Sequence, residues 1–154
     1  MKIHTLNFSQ KLPISLEEAW EFFSSPLNLA KITPANMGFL ITSDFKNGDK
    51  MYEGMLITYK VSPLFGIKLD WMTEITAVSE GKYFIDEQRF GPFKIWHHEH
   101  HFEEVDGGVL MRDKLIYAIP FGLIGNLVHS LIVGKQVKEI FSHREKAVNN
   151  LFKL

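Results

Sequence analysis

The chain has 154 residues, 45% hydrophobic and 23% charged, the make-up of one globular domain that buries roughly 68–70% of its unfolded surface. Seventeen basic side chains stand against eighteen acidic ones, a formal net charge of −1, and no basic run or Arg-rich helix offers a surface for nucleic acid. The absence of cysteine excludes a disulfide framework, a thiolate metal site and a cysteine nucleophile.

The segment 1–7 lacks the apolar core of a signal peptide, and the longest apolar stretch falls well short of the ~20 residues of a membrane span. The expectation is a soluble, cytoplasmic, monomeric protein, one domain over 1–154, without an integral membrane segment. Residues 3–13 alternate loosely (Leu6, Phe8, Gln10 and Leu12 in one phase, Ile3, Thr5, Asn7 and Ser9 in the other), and Pro13 ends the run: a strand. Ser15 has the character of an N-cap, with Glu18 completing a capping box ahead of Ala19, Trp20, Phe22 and Phe23. That short helix stops near Ser24-Ser25-Pro26. A second helical turn over 27–31 ends before Thr33-Pro34, because a residue preceding proline avoids the α region.

From 37 to 119 the pattern predicts about six strands, punctuated by Asn47-Gly48-Asp49, Ser62-Pro63, Glu80-Gly81, Gly91-Pro92 and Asp106-Gly107-Gly108. An apolar, glycine-punctuated loop, Phe121-Gly122-Leu123-Ile124-Gly125, then leads into a long helix over roughly 126–153. Its apolar stripe is Leu127, Leu131, Val137, Ile140, Phe141, Val148, Leu151 and Phe152. The expected fold is α+β: a curved antiparallel sheet of about seven strands wrapped around the C-terminal helix, with two short helices after strand 1. Thirteen Phe, three Trp, four Tyr and six Met supply large, adaptable surfaces, either as core or as the lining of a cavity between sheet and helix.

Four of the seven histidines fall in Trp96-His97-His98-Glu99-His100-His101-Phe102-Glu103. Alternation in a strand puts His97, Glu99, His101 and Glu103 on one wholly polar face, and Trp96, His98, His100 and Phe102 on the other. The second set belongs on the concave face. A two-residue turn at Asp106-Gly107 then sets Trp96 opposite Tyr117, His98 opposite Leu115, His100 opposite Asp113 and Phe102 opposite Met111. Slipping that register by one would bring Arg112 and Lys114 inside at a high desolvation cost. The preceding strand offers Phe84, Asp86, Gln88 and Phe90 in one phase, so Asp86 falls near His98 and Gln88 near Trp96. The expected binding surface is thus Trp71, Phe84, Asp86, Gln88, Trp96, His98, His100, Phe102, Met111, Asp113, Leu115, Tyr117 and Phe121: polar groups inside an apolar and aromatic frame.

The segments FIDEQRFGPFKIWHHEHHFEEVDGGVLMRDKLIYAIPFGLIG and IFSHREKAVNNLF resemble the helix-grip superfamily of START and Bet v 1-like (SRPBCC) proteins, closest to its bacterial polyketide cyclase/dehydrase-like, ligand-binding branch. The resemblance rests on Phe84, Asp86, Gln88, Gly91, Pro92, Phe93, Trp96, His98, His100, Phe102, Met111, Asp113, Tyr117, Pro120 and Gly122, and on SPLNLAKITP near the N-terminus. It implies a deep hydrophobic cavity between sheet and helix, in a superfamily whose members include lipid carriers, quinone-binding factors, cyclases and hormone receptors. The leading reading is binding of a small hydrophobic or aromatic molecule, without a cofactor. The runner-up is an enzyme using His98, His100, Asp113 and Tyr117 for acid–base chemistry. A metal held by His98 and His100, with Asp113 as a third ligand, is weaker because no further His or Glu is in phase. A protein-interaction module has no feature in its favour.

Overall fold

Strand β1 (His4–Leu12) alternates exposed and half-buried side chains as the period-two pattern predicts, and ends before Pro13, which has no amide to donate. Ser15 then caps α1 (Leu16–Phe23): the Glu18 amide donates to its hydroxyl at 3.1 Å, and Glu17 and Glu18 sit at the positive end of the helix dipole. Ala19, Trp20 and Phe23 form its buried face. A 3₁₀ turn (Pro26–Asn28) leads into α2 (Leu29–Ile32), which stops at Thr33 in extended conformation (φ −94°, ψ 137°) before Pro34. A second 3₁₀ turn, Ala35–Met37, is an element the sequence pattern does not announce.

Six further strands follow: β2 (Leu40–Ile41), β3 (Leu56–Val61), β4 (Leu69–Ser79), β5 (Tyr83–Phe90), β6 (Ile95–Val105) and β7 (Gly108–Ala118). They join β1 in one antiparallel sheet of order β1-β7-β6-β5-β4-β3-β2. The sheet is open, and with the C-terminal helix α3 (Gly134–Leu151) it makes a helix-grip α+β fold. The computed structural model describes residues 2–62, 67–122 and 132–152. Pro63 of the expected turn, Leu123–Gly125 of the apolar loop, and Leu127 and Leu131 of the helix stripe lie outside the described residues.

The β6–β7 register is the expected one: Trp96 faces Tyr117, His98 Leu115, His100 Asp113 and Phe102 Met111, around a turn that pairs Val105 with Gly108. Gly108 is required by close packing. Its φ is +143°, and a Cβ there would stand 1.9 Å from the Leu12 carbonyl oxygen, inside the backbone of β1. Two register shifts in β4, at Met72/Thr73 and Ile75/Ala77, bend that strand and leave Trp71, Thr73 and Ile75 all buried.

Two core clusters form among the described residues. One gathers Trp20, Phe23, Phe84, Phe102 and Met111 under α1, where Trp20 meets Phe84 and Phe102 edge-on at 6.1 and 5.7 Å. The other holds Leu115 and Tyr117 against Val133, Val137 and Phe141 of the C-terminal helical segment, with Phe8 stacked on Phe141 at 4.2 Å. Val137, Phe141 and Val148 are buried, at intervals of four and seven residues, as the stripe predicts. Leu151, assigned to that stripe, is 44% exposed instead, because it falls at the fraying end of the helix.

Candidate functional site

Between the clusters lies a cavity of about 480 Å³, roofed by Val133, Val137, Ile140 and Phe141 and floored by Ile57, Tyr59, Trp71, Ile75, Phe84 and Trp96. Its wall is predominantly apolar and aromatic, and its acidic and basic side chains, Asp86, His98, His100 and Arg144, are clustered together. Thr73 accepts from the Trp71 indole at 3.1 Å and shares a hydrogen bond with the Tyr59 hydroxyl at 3.0 Å, so the polar atoms of the aromatic floor are satisfied. Burial pushes the Tyr59 phenol well above its ordinary range.

The expected site residues divide. Trp71, Phe84, Asp86, Trp96, His98, His100 and Phe121 line the cavity. Phe121 does so from the rim: it is 81% exposed and holds φ at +71°, a backbone conformation a non-glycine residue rarely adopts. Six others do not reach the space. Phe102 and Met111 pack under α1, and Leu115 and Tyr117 are filled in by Val133, Val137 and Phe141. Gln88 is turned onto its own loop, its amide donating to the Phe93 carbonyl at 2.6 Å and accepting from the Phe93 amide at 3.1 Å. Gly91 makes room for this latch, since a Cβ there would lie 2.5 Å from Gln88 Oε1. Asp113 stands behind the histidines rather than beside them in the cavity wall.

His98, His100 and Asp113 are all buried, at 5%, 2% and 4% exposure. Asp113 Oδ1 lies 3.1 Å from His98 Nε2 and 2.8 Å from His100 Nδ1, so one carboxylate oxygen accepts from both rings. The remaining ring nitrogens, His98 Nδ1 and His100 Nε2, turn to Asp86 Oδ2 at 3.4 and 2.8 Å. The two imidazoles are therefore held between two carboxylates, their centroids 3.8 Å apart. Phe84 stacks on His100 at 4.2 Å, and Phe141 meets His98 edge-on at 5.3 Å.

Arg144 on α3 places Nη2 3.7 Å from Asp113 Oδ1 and 3.3 Å from His100 Nδ1. That ring nitrogen cannot both accept from Arg144 and donate to Asp113. The shorter contact to an anion decides for Asp113, and Arg144 acts as a neighbouring charge. When both imidazoles are neutral, two carboxylates against one guanidinium leave the buried group with one negative charge.

Burial lowers the proton affinity of His98, and the charge of His100 adds to that. Burial also opposes charge on His100, but hydrogen bonds to Asp113 and Asp86 outweigh it and hold this imidazole above its ordinary value. For Asp113, burial is overcome by the Arg144 charge and by hydrogen bonds from His100 and His98, leaving the carboxyl well below the usual carboxylate range. Asp86 is lowered too, burial being outweighed by the His100 hydrogen bond and the charges of His98, His100 and Arg144. A proton taken up by the group therefore goes to His100 before His98, and brings the charge of the group to zero.

Arg144 is a charged cavity residue that the reading of the sequence passes over, as it does Tyr59 and Thr73 of the floor. The signal was there: Phe141, Arg144 and Val148 follow each other at three- and four-residue spacing, so a guanidinium interrupts the buried stripe of α3.

Comparison with solved structures fits this architecture. Protein CV1439 from Chromobacterium violaceum superposes with a TM-score of 0.70 at 15% identity, over 97% of each chain. A START superfamily protein from Mycobacterium smegmatis gives 0.63 at 12% identity, again over 97% of each chain. The Bet v 1 allergen Ara h 8.0201 gives 0.59 at 18% identity, over 97% of this chain and 99% of the other. The fold is START/Bet v 1-like. No family model and no curated protein matches the sequence, so the likeness is one of fold. In this fold the cavity sits between sheet and α3, with the histidine pair among its charged groups. No helix among the described residues is long and apolar enough to cross a membrane.

Proposed function

We propose that the chain binds a small hydrophobic or aromatic molecule, with its apolar body along the cavity and one oxygen-bearing polar end against Asp86, His98 and His100. The carrying observation is the cavity itself: about 480 Å³ under a mostly apolar wall, with its charged groups clustered together. A START/Bet v 1-like fold is a ligand-binding fold, which supports the same reading. The test is native mass spectrometry of the purified chain, followed by extraction and identification of anything retained. A titration with 1-anilinonaphthalene-8-sulfonate, read by quenching of Trp71 and Trp96, accompanies it. The expected result is saturable 1:1 binding, weakened at least about tenfold by Val137→Phe, which fills the cavity from the helix side. Absence of any retained molecule, together with dye binding indifferent to Val137→Phe, rejects the proposal.

A second reading, acid–base chemistry on a polyketide-like substrate, is favoured by the opposed proton affinities of His98 and His100 at one cavity wall. Asp113 and Arg144 would position the rings. Tyr117, expected to take part, is buried away from the cavity and drops out of this role. Turnover of a poly-β-keto thioester that disappears in His98→Gln would establish it, and an inert mixture would leave binding alone.

A further inference from the structure

The arrangement of the two histidines raises a question that ligand binding does not answer: why both rings are aimed as they are. Asp113 accepts from His98 Nε2 and His100 Nδ1, which commits those nitrogens to carrying hydrogen. The other two, His98 Nδ1 and His100 Nε2, face the same oxygen of Asp86, and loss of the hydrogen that His100 Nε2 shares with that oxygen frees both nitrogens as lone-pair donors. Three electron-rich atoms converge on one point at the cavity wall. Each lies within 4.8 Å of the other two. A buried carboxylate that orients two imidazoles through their outer nitrogens is the support metal-ligating histidines ordinarily have.

We infer that Asp86, His98 and His100 form a binding site for one divalent transition-metal cation of the zinc or cobalt type, with Asp113 as the residue that orients both rings. The donor set is two imidazole nitrogens and one carboxylate oxygen, which suits Zn²⁺ or Co²⁺ and does not suit Mg²⁺ or Ca²⁺. Metal–ligand distances of about 2.0–2.2 Å in a tetrahedral centre set donors roughly 3.3 Å apart. The Asp86–His98 separation of 3.4 Å matches, the Asp86–His100 contact of 2.8 Å opens by a fraction of an ångström, and the two ring nitrogens, within 4.8 Å of each other, close on the ion. All three ligands line the cavity, so an ion has a route in and an open coordination position toward the space.

Charge agrees. The buried group carries one surplus negative charge with neutral imidazoles, and a proton or a metal ion can fill that place. A divalent ion overshoots by one, so the open position suits an anionic oxygen: hydroxide, or the carboxylate or phenolate end of a bound molecule. That last step rests on the cavity being a ligand site, whereas the metal site does not.

The sequence pointed elsewhere, to Asp113 as the third ligand. The register explains the difference. His100 pairs with Asp113 on β7 and His98 with Asp86 on β5, so the rings are gripped from both sides, and Asp86 is the carboxylate on the cavity side.

The experiment is a Co²⁺ titration of the full chain after chelator treatment, read by the visible d–d absorption of four- or five-coordinate Co²⁺, with Zn²⁺ competing. One equivalent is expected to bind. Asp86→Asn and His98→Gln should abolish the band, and Asp113→Asn should weaken binding about 10–100-fold. The double variant His97→Gln/His101→Gln, on the opposite face, should leave it unchanged. A band that vanishes in that double variant, or that survives Asp86→Asn and His98→Gln, overturns the assignment. Absence of any stoichiometric band in the wild-type chain overturns it also, and leaves the shared proton as the sole occupant. Should the site variants fail to fold, ¹⁵N imidazole spectra of the wild-type chain decide. Zn²⁺ must shift His98 Nδ1 and His100 Nε2 as the ligating nitrogens, and an effect confined to His97 or His101 refutes the site. Dye binding in the cavity, measured without metal, keeps this result separate from the fate of the ligand-binding proposal.

Discussion

His97 and His98 are adjacent in the chain, yet they live in different solvents. On the convex face of β6, His97, Glu99 and His101 form an open ladder: Glu87 to His97 at 2.7 Å, His101 to Glu99 at 2.8 Å, and Lys114 to Glu99 at 2.8 Å. On the concave face, His98 and His100 make contacts of similar length to Asp86 and Asp113, but under 5% and 2% exposure. Equal distances do not mean equal energies. Water screens the first set and can replace any lost partner, whereas inside the sheet each partner is the sole substitute for water. What separates the faces is the cost of removing one member.

That contrast breaks most visibly at Asp113. Asp113→Ala takes from Arg144 and His100 one of their two carboxylate partners, the more deeply buried one, and should destabilise the chain by about 3–5 kcal/mol in urea unfolding. A loss under 1 kcal/mol would show that the concave pairs are no stronger than surface ones.

The next effect is on pH. In chelator-treated protein, His100 should titrate above 6.5 and His98 below it, by NMR. His100 binds its proton more tightly folded than unfolded, so its contribution is full below about pH 6.5 and is lost as pH rises through its folded value. His98 binds its proton less tightly folded, so stability declines as pH falls below about 6.5, where the unfolded chain takes up a proton that the folded one resists. His100→Gln should flatten the alkaline decline and His98→Gln the acid one. Identical titration of His98 and His100 would dissolve the comparison.

Glu99 is the strongest point of the convex face. The Lys114 hydrogen bond, helped by His101 and His97 against a partial burial, brings its carboxyl down to about 2. Its contribution is therefore present above about pH 4.5 and lost as pH falls toward 2. Glu99→Gln at neutral pH should cost about 1 kcal/mol or less, and most of that should vanish in 1 M salt, where the Debye length is about 3 Å. Salt-independence of the loss would place Glu99 with the buried set.

Much of this was legible in the sequence because strand alternation and a two-residue turn leave little freedom. Once Val105 faces Gly108, every partner from Trp96 to Phe102 follows, and Asp86 beside His98 required only the length of the Gly91-Pro92 connection. Depth along the strand was less legible. Phe102, Met111, Leu115 and Tyr117 share the concave phase with His98 and His100, but α1 and α3 descend onto the two ends of the face and leave only its middle open. Periodicity tells which face a side chain takes, not whether another element covers it. Gln88 shows the same limit at a loop, where a local latch captured a side chain in the correct phase. Arg144 belongs to a third kind of omission: a cation within an apolar stripe takes its meaning from the carboxylate opposite, which only the packing of α3 on β7 supplies.

The smallest expected effect is the most discriminating for the opening pattern of four histidines. Replacing His97 and His101 together by alanine removes half of the cluster but no buried partner. The Lys114–Glu99 pair remains, and the freed carboxylate oxygens of Glu87 and Glu99 turn to water. Stability should move by no more than about 0.5 kcal/mol, and dye binding in the cavity should not move at all. A larger loss would mean that the convex ladder holds β5 and β6 together through Glu87–His97, making the outer histidines structural rather than solvated. Weakened dye binding with stability unchanged would mean that the sheet transmits the state of one face to the other.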